Sequence, residues 1–192
     1  MKTIETRGVT IFKPCYTEEG AKYSVEYARK ILGKGLKETG IKWISSVPVF
    51  IPFWIVQIEM TLRDLRKGLV AKVYQSMVNG ITGRASMMAG SFSFQTLTVT
   101  GIIMDDEHGP SKIDEEARLS VLAATQKLIN PPPCRILPGT ELVYYPMALA
   151  RCGVKKKEEL RMFDYVRGGL DKWFLSYLRY KEAADAKKGF RK

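Results

Sequence analysis

Histidine is nearly absent: His108 is the only one in 192 residues. A single imidazole excludes a multi-histidine metal centre. Nucleophilic catalysis needs a base beside its Ser or Cys, and no cysteine has a histidine near it in sequence. Cysteine is scarce and odd in number. Cys15, Cys134 and Cys152 are widely spaced and form no C-x-x-C pair, which removes the usual zinc spacings and argues against a secreted disulfide framework. Buried free thiols in a reducing cytoplasm are the expectation. Residues 1–13 lack the apolar core of a signal peptide. Long hydrophobic runs are missing as well. The most apolar stretch, from Trp43 to Ile58, is bounded by Lys42 and Glu59 and contains Pro48 and Pro52, whereas a spanning helix needs roughly 20 apolar residues. A second charge-free stretch, from Ala85 to Met104, is rich in Ser, Thr, Gln and Gly. No transmembrane segment is expected. Phosphate-loop motifs are absent too, so Gly80, Gly83, Gly168 and Gly169 read as strand-closing turns.

What is present is positive charge and a repeated pattern. Lys and Arg number 31 against 20 Asp and Glu, a net charge of +11. Such a surplus points to an anionic partner, although a solvated basic surface has the same composition. Residues 21–32 and 117–128 share Ala, Ser, Val, Ala and Leu at one offset, and acidic pairs precede both. Ala21, Val25, Ala28 and Leu32 fall on one helical face, as do Ala117, Val121, Ala124 and Leu128. The spacing predicts two amphipathic helices, the first capped by Thr17 and the second by Ser111 or Asp114. Asn130-Pro131-Pro132-Pro133 ends the second.

A β-rich run with one proline follows each helix, at Pro52 and at Pro146. Proline lacks the ladder donor, so these strands are expected at an edge or at a bulge. Charged turns come next, Arg63 to Gly68 and Gly153 to Glu159, and then return strands from Leu69 to Val78 and from Leu160 to Tyr165. Each return strand closes on an Asx/Gly turn, with Asn79 matching Asp164 and Gly83 matching Gly168. Ser91 to Thr100 alternates like a further strand. The expected fold is α+β: two helix-plus-antiparallel-sheet units related by internal duplication, with a C-terminal helix. The boundary is set between residues 1–104 and residues 105–192, with 105–111 as an acidic linker.

The residues Thr17-Glu18-Glu19-Gly20-Ala21 and Val78-Asn79-Gly80-Ile81-Thr82-Gly83 resemble the PepSY and broader cystatin-like modules. The second copy keeps Ile113-Asp114-Glu115-Glu116-Ala117 and departs from the turn at Phe163 to Gly168. The resemblance spans residues 14–170. It implies a helix packed across a curved antiparallel sheet and a role in binding or inhibition.

Asp105-Asp106-Glu107-His108 is the one cluster offering oxygen and nitrogen donors, and a charged linker has the same composition. No metal, cofactor or catalytic residue is expected. Phe53 and Trp54 are neighbours, so in a strand they point to opposite faces and one needs a second covering layer. Phe50, Phe53, Trp54, Tyr144 and Tyr145 are therefore candidate partner-binding residues. Trp173 and Tyr177 join them on a predicted C-terminal helical face. Lys155, Lys156 and Lys157 at a hairpin tip, with Lys187, Lys188, Arg191 and Lys192 in the tail, are the candidate anion- or nucleic-acid-binding set. The sequence thus reads as a non-catalytic binding or assembly protein, a subunit or accessory factor that meets a protein partner or a second copy of itself. The alternative is a nucleic-acid-binding protein that uses the basic groups.

Overall fold

A computed structural model describes residues 4–27, 29–32, 35–38, 40–88, 90, 92–127, 129–154 and 157–171. The elements run β1 (Glu5–Phe12), α1 (Glu18–Glu26), β2 (Arg29–Leu32), β3 (Gly35–Glu38), β4 (Ile41–Asp64), β5 (Gly68–Asn79) and β6 (Ala85–Met87). Then come β7 (Phe94–Ile103), α2 (Pro110–Ala124), β8 (Cys134–Ile136), β9 (Glu141–Val154), β10 (Lys157–Asp164) and β11 (Leu170–Asp171).

The balanced α+β expectation is corrected. The chain is mostly a large mixed β-sheet, 56% strand against 16% helix, with only two helices among the described residues. The expected C-terminal helix lies outside those residues. The apolar run from Trp43 to Ile58 belongs to the long strand β4. No helix among the described residues is long and apolar enough to cross a membrane.

Two compact units form, Met1–Lys13 with Phe50–Tyr145 and Pro14–Val49 with Pro146–Lys192. Each draws on residues from both sides of the Met104/Asp105 boundary. The first unit pairs β1 with β7, antiparallel from Glu5↔Gly101 to Phe12↔Phe94. It also pairs β4 with β5, from Phe53↔Asn79 to Asp64↔Gly68. Strand β8 lies on β4 at Ile58↔Ile136, and β6 lies on β5 at Ser76↔Met87. Helix α2 covers the β4–β5 ladder because Ile113, Ala117 and Val121 recur at four-residue spacing and bury against Val56, Ile58, Met60 and Val78. Within this contact Ser76 and Ser120 pair their hydroxyls at 2.7 Å, so each buried oxygen has a partner. A second cluster joins Val9, Ile11, Phe50, Val99, Ile103 and Tyr144.

The second unit pairs β9 with β10 from Met147↔Asp164 to Val154↔Lys157, and β10 with β11. Ala21 and Val25 of α1 bury against Ala148, Ala150, Cys152, Phe163 and Tyr165, together with Ile41 and Trp43. Each helix therefore packs on the hairpin that is not its successor in sequence. The alternate alanines Ala148 and Ala150 of β9 leave room for the helix to approach the sheet, and Phe163, opposite Ala148, is buried in the same cluster.

Both helix readings need correction at their ends. The Thr17 hydroxyl accepts from Gly20 N at 3.1 Å, as the sequence predicts. The helix stops at Glu26, however, and Arg29–Leu32 pairs with Gly35–Glu38 as a short hairpin. Helix α2 starts at Pro110 with Gly109 as its N-cap, so Ser111 and Asp114 lie inside it. It ends at Ala124, before the prolines; the Thr125 hydroxyl donates to Val121 O at 2.7 Å, and Gln126 takes φ 57°.

The two prolines mark where a hairpin ladder begins, not a sheet edge. β4–β5 pairing starts one residue after Pro52, whose carbonyl accepts from Gly80 N at 2.8 Å. β9–β10 pairing starts one residue after Pro146, whose carbonyl accepts from Tyr165 N at 3.3 Å. A residue without an N–H fits at the end of a ladder.

Candidate functional site

The aromatic residues expected to meet a partner are largely committed to the core of the first unit. Phe50 is 7% exposed, Tyr144 5% and Tyr145 7%. Phe53 and Trp54 are half-buried and do face opposite ways. Trp54 packs against the α2 cluster, while the Phe53 ring lies 5.7 Å from Tyr145 and 6.5 Å from Phe12. The second covering layer that these neighbours require comes from α2 and from Phe12 of β1. The sequence pattern does not mark β1 as a strand, so the cover that Phe12 supplies is decided by the tertiary fold alone. Trp173, Tyr177, Lys155, Lys156, Lys187, Lys188, Arg191 and Lys192 lie outside the described residues. Lys157 is exposed at the start of β10.

The chemistry-bearing groups are dispersed. Burial pushes the thiols of Cys134 and Cys152 above their ordinary range, with Arg118 and Arg161 respectively acting the other way. A raised thiol pKa suppresses the thiolate that a nucleophile or a metal ligand must be. Burial pushes Tyr165 up to about 12, with Glu18 adding to the effect. No group of three His, Cys, Asp or Glu is arranged to hold a metal among the described residues. The Asp105–His108 segment instead packs on the turn that closes β5. Asp106 Oδ1 accepts from His108 N at 3.3 Å, and a side chain added at Gly80 would meet that same oxygen at 2.7 Å.

The surface that does stand free is the far end of the β4–β5 hairpin. Asp64 Oδ1 accepts from Arg66 N at 2.8 Å and from Lys67 N at 3.0 Å, and Gly68 takes φ 74°. These two backbone donors hold the Asp64 carboxyl below its ordinary pKa, with Lys72 adding a smaller pull. The closed turn carries Leu65 fully into solvent, at 102% exposure. Leu69 and Val73 share one face of β5 by the two-residue period and are 77% and 55% exposed. Arg63, Arg66, Lys67 and Lys72 are exposed around them, with Asp64 the one acidic neighbour in residues 61–75.

Strand β5 is also open along its outer side here. It pairs with β6 only at Ser76, Met77 and Val78, and Met88 N donates to Gln75 O at 2.8 Å. From Gly68 to Tyr74 no second strand lies beside it among the described residues. In the sequence, residues 63–68 read as a charged turn and 69–78 as an ordinary return strand. The available signal was Leu69-Val70-Ala71, an apolar run beside a basic turn with no polar residue to mark a wet face.

The second unit has a smaller free surface. Tyr23 and Tyr27 on α1 are 66% and 58% exposed, and their rings stack 4.5 Å apart. An open cleft of about 520 Å³ lies between the first turn of α1, at Thr17 to Lys22, and Trp43 to Ser45 of β4. Glu18 accepts there from the Ser46 hydroxyl.

Comparison of the chain with protein-family models, with curated proteins and with solved structures finds no match.

Proposed function

We propose that this is a non-catalytic binding or assembly protein, a subunit or accessory factor that holds a protein partner. The observation that carries the reading is the free end of the β4–β5 hairpin, where Leu65, Leu69 and Val73 stay in solvent on an ordered ladder. Large apolar side chains gathered on one exposed element favour an interface, whereas single scattered ones need no explanation. The stacked tyrosines of α1 add a second contact of the type that interfaces favour. The PepSY-like and cystatin-like resemblance of residues 14–170 supports the same class of role. The test compares the wild-type chain with a Leu65→Ser/Leu69→Ser/Val73→Ser variant by light scattering and by co-purification from native extract. A complex of defined stoichiometry, lost in the variant, is expected. A strictly monomeric wild type that retains nothing overturns the reading.

A nucleic-acid role is the second reading. It is favoured by the +11 charge and by the exposed Arg63, Arg66, Lys67 and Lys72, with Lys155 to Lys157 and the basic tail as further contacts. Phosphate contacts release counterions, so such binding must weaken steeply as salt rises. Titration of labelled RNA and duplex DNA at low and high salt decides it, and absence of binding at low salt removes it.

A further inference from the structure

We propose that the open edge of β5 takes up an extended, acidic segment of the partner as an added strand along Leu69 to Val73. The inference rests on the binding reading above and names the kind of segment bound. Three features coincide on this edge, and each constrains the ligand differently.

The first is the backbone. Asn79 N donates to Arg84 O and Met88 N donates to Gln75 O, so the odd-numbered residues of β5 turn their peptide groups outward. The β4–β5 register is unbroken from Asn79 to Gly68, and the two-residue alternation therefore carries through to Val73, Ala71 and Leu69. Their N–H and C=O groups face away from β4. An extended chain laid alongside satisfies them as a ladder, the mode by which peptides add to exposed sheet edges.

The second is the side-chain face. Leu69, Ala71 and Val73 are all exposed on one side of the strand. Residues of an added strand opposite them share that side and bury apolar surface only if they are apolar themselves. The third is charge. Lys72 is exposed on the opposite side of β5, where Asp64 is close enough to feel it, while Arg63 and Glu59, which pair with Leu69 and Val73, lie on the apolar side, Glu59 bound to Arg135. A segment that alternates apolar and acidic residues matches both sides at once. A second copy of this chain would bring the same cations to the same edge. A nucleic acid would use the cations and leave the peptide groups and the apolar row unused. Lys72 also disfavours pairing of the edge with a second copy of itself, since a lysine on an edge strand opposes indiscriminate pairing.

The test titrates the full chain with a short fluorescent peptide alternating valine and glutamate, and with the same peptide carrying lysine for glutamate. Fluorescence anisotropy at low and high salt reads the binding. The glutamate peptide is expected to bind, more weakly at high salt, and the lysine peptide is not. Ala71→Pro removes one outward N–H while the ladder to β4 is kept, and Lys72→Glu reverses the charge. Each is expected to weaken binding about tenfold. Lys72→Glu alters only an exposed side chain, so it keeps the test decisive if Ala71→Pro fails to fold by circular dichroism. Equal binding of the two peptides, or affinity unchanged in Lys72→Glu, overturns the proposal. So does a dimer that the glutamate peptide does not dissociate, or preference for duplex DNA over the peptide. If the peptide fails while the serine variant still loses its complex, this inference falls and the binding reading stands.

Discussion

The closure at Asn79–Gly83 in the first unit and the closure at Asp164–Gly168 in the second share their hydrogen bonds and differ in what covers them. Asn79 Oδ1 accepts from Ile81 N and Thr82 N at 2.9 and 3.0 Å, and Asp164 Oδ1 accepts from Val166 N and Arg167 N at 2.8 and 2.9 Å. Gly83 N donates to Asn79 O and Gly168 N donates to Asp164 O. Both glycines sit at positive φ, +70° and +76°. The segment before each helix then caps the closure. Glu107 N donates to Gly80 O in one unit, and Cys15 N and Tyr16 N donate to Tyr165 O in the other.

The covering side chains decide the remaining residues. Asp106 occupies the space above Gly80, so that position has no room for a side chain. In the second unit the cover moves to Tyr16, which presses on Gly168 and leaves position 165 free for a buried tyrosine. One backbone solution thus tolerates two side-chain solutions, and the residue allowed at each step follows from its neighbour in space.

Substitutions at the closures test this comparison, and the largest effect is expected at the tighter contact. A side chain at Gly168 would lie 2.6 Å from the Tyr16 ring, itself backed by Phe163 at 5.8 Å between ring centroids, whereas one at Gly83 would meet His108 at 3.0 Å. Gly168→Ala is expected to cost about 3–4 kcal/mol and Gly83→Ala about 2, each including the left-handed backbone penalty. Denaturant unfolding measures both, and Tyr16→Ala should recover part of the first loss. Equal costs would show that cover is irrelevant.

Next is the acidity of the two Asx residues. Asn79 is 7% exposed and lies in the closure that Asp106 covers. Asn79→Asp should therefore cost about 2 kcal/mol at neutral pH, a loss that shrinks as pH falls and the buried carboxyl takes up a proton. Asp164→Asn should cost well under 1 kcal/mol, because an amide oxygen serves the same two donors. A fall in the stability of Asp164→Asn that matches Asn79→Asp would break the parallel.

The helix starts differ in a smaller way. Thr17→Ala removes a side-chain cap and should cost about 1 kcal/mol, while Gly109→Ser should add only a few tenths. Helical hydrogen exchange and melting temperature read both.

The tyrosine that the second closure admits gives a pH signature. Its ordinary pKa of 10.0 in the unfolded chain rises to about 12 in the fold. The unfolded state loses the proton first, so stability declines as pH climbs from about 10 toward 12 and is unaffected below. Tyr165→Phe should flatten that decline in alkaline denaturation.

Local chemistry was legible in the residues themselves. The Thr17 cap, the glycine turns at Gly83 and Gly168 and the Asx matches all depend on a few consecutive residues, whose dihedral and hydrogen-bond preferences act without help from the rest of the chain. The pairing of α1 with β9–β10 and of α2 with β4–β5 depends on residues far apart in sequence, and an apolar helix face fits any apolar sheet face before packing selects one. The same holds for the free surface. Phe50 and Leu69 look alike on paper as apolar strand residues. Phe50 is buried because β1 and β7 bring Val9, Ile11, Val99 and Ile103 to it, and Leu69 is exposed because nothing among the described residues lies over the end of β5. Hydrophobicity marks what seeks cover; only the tertiary arrangement decides which residues receive it.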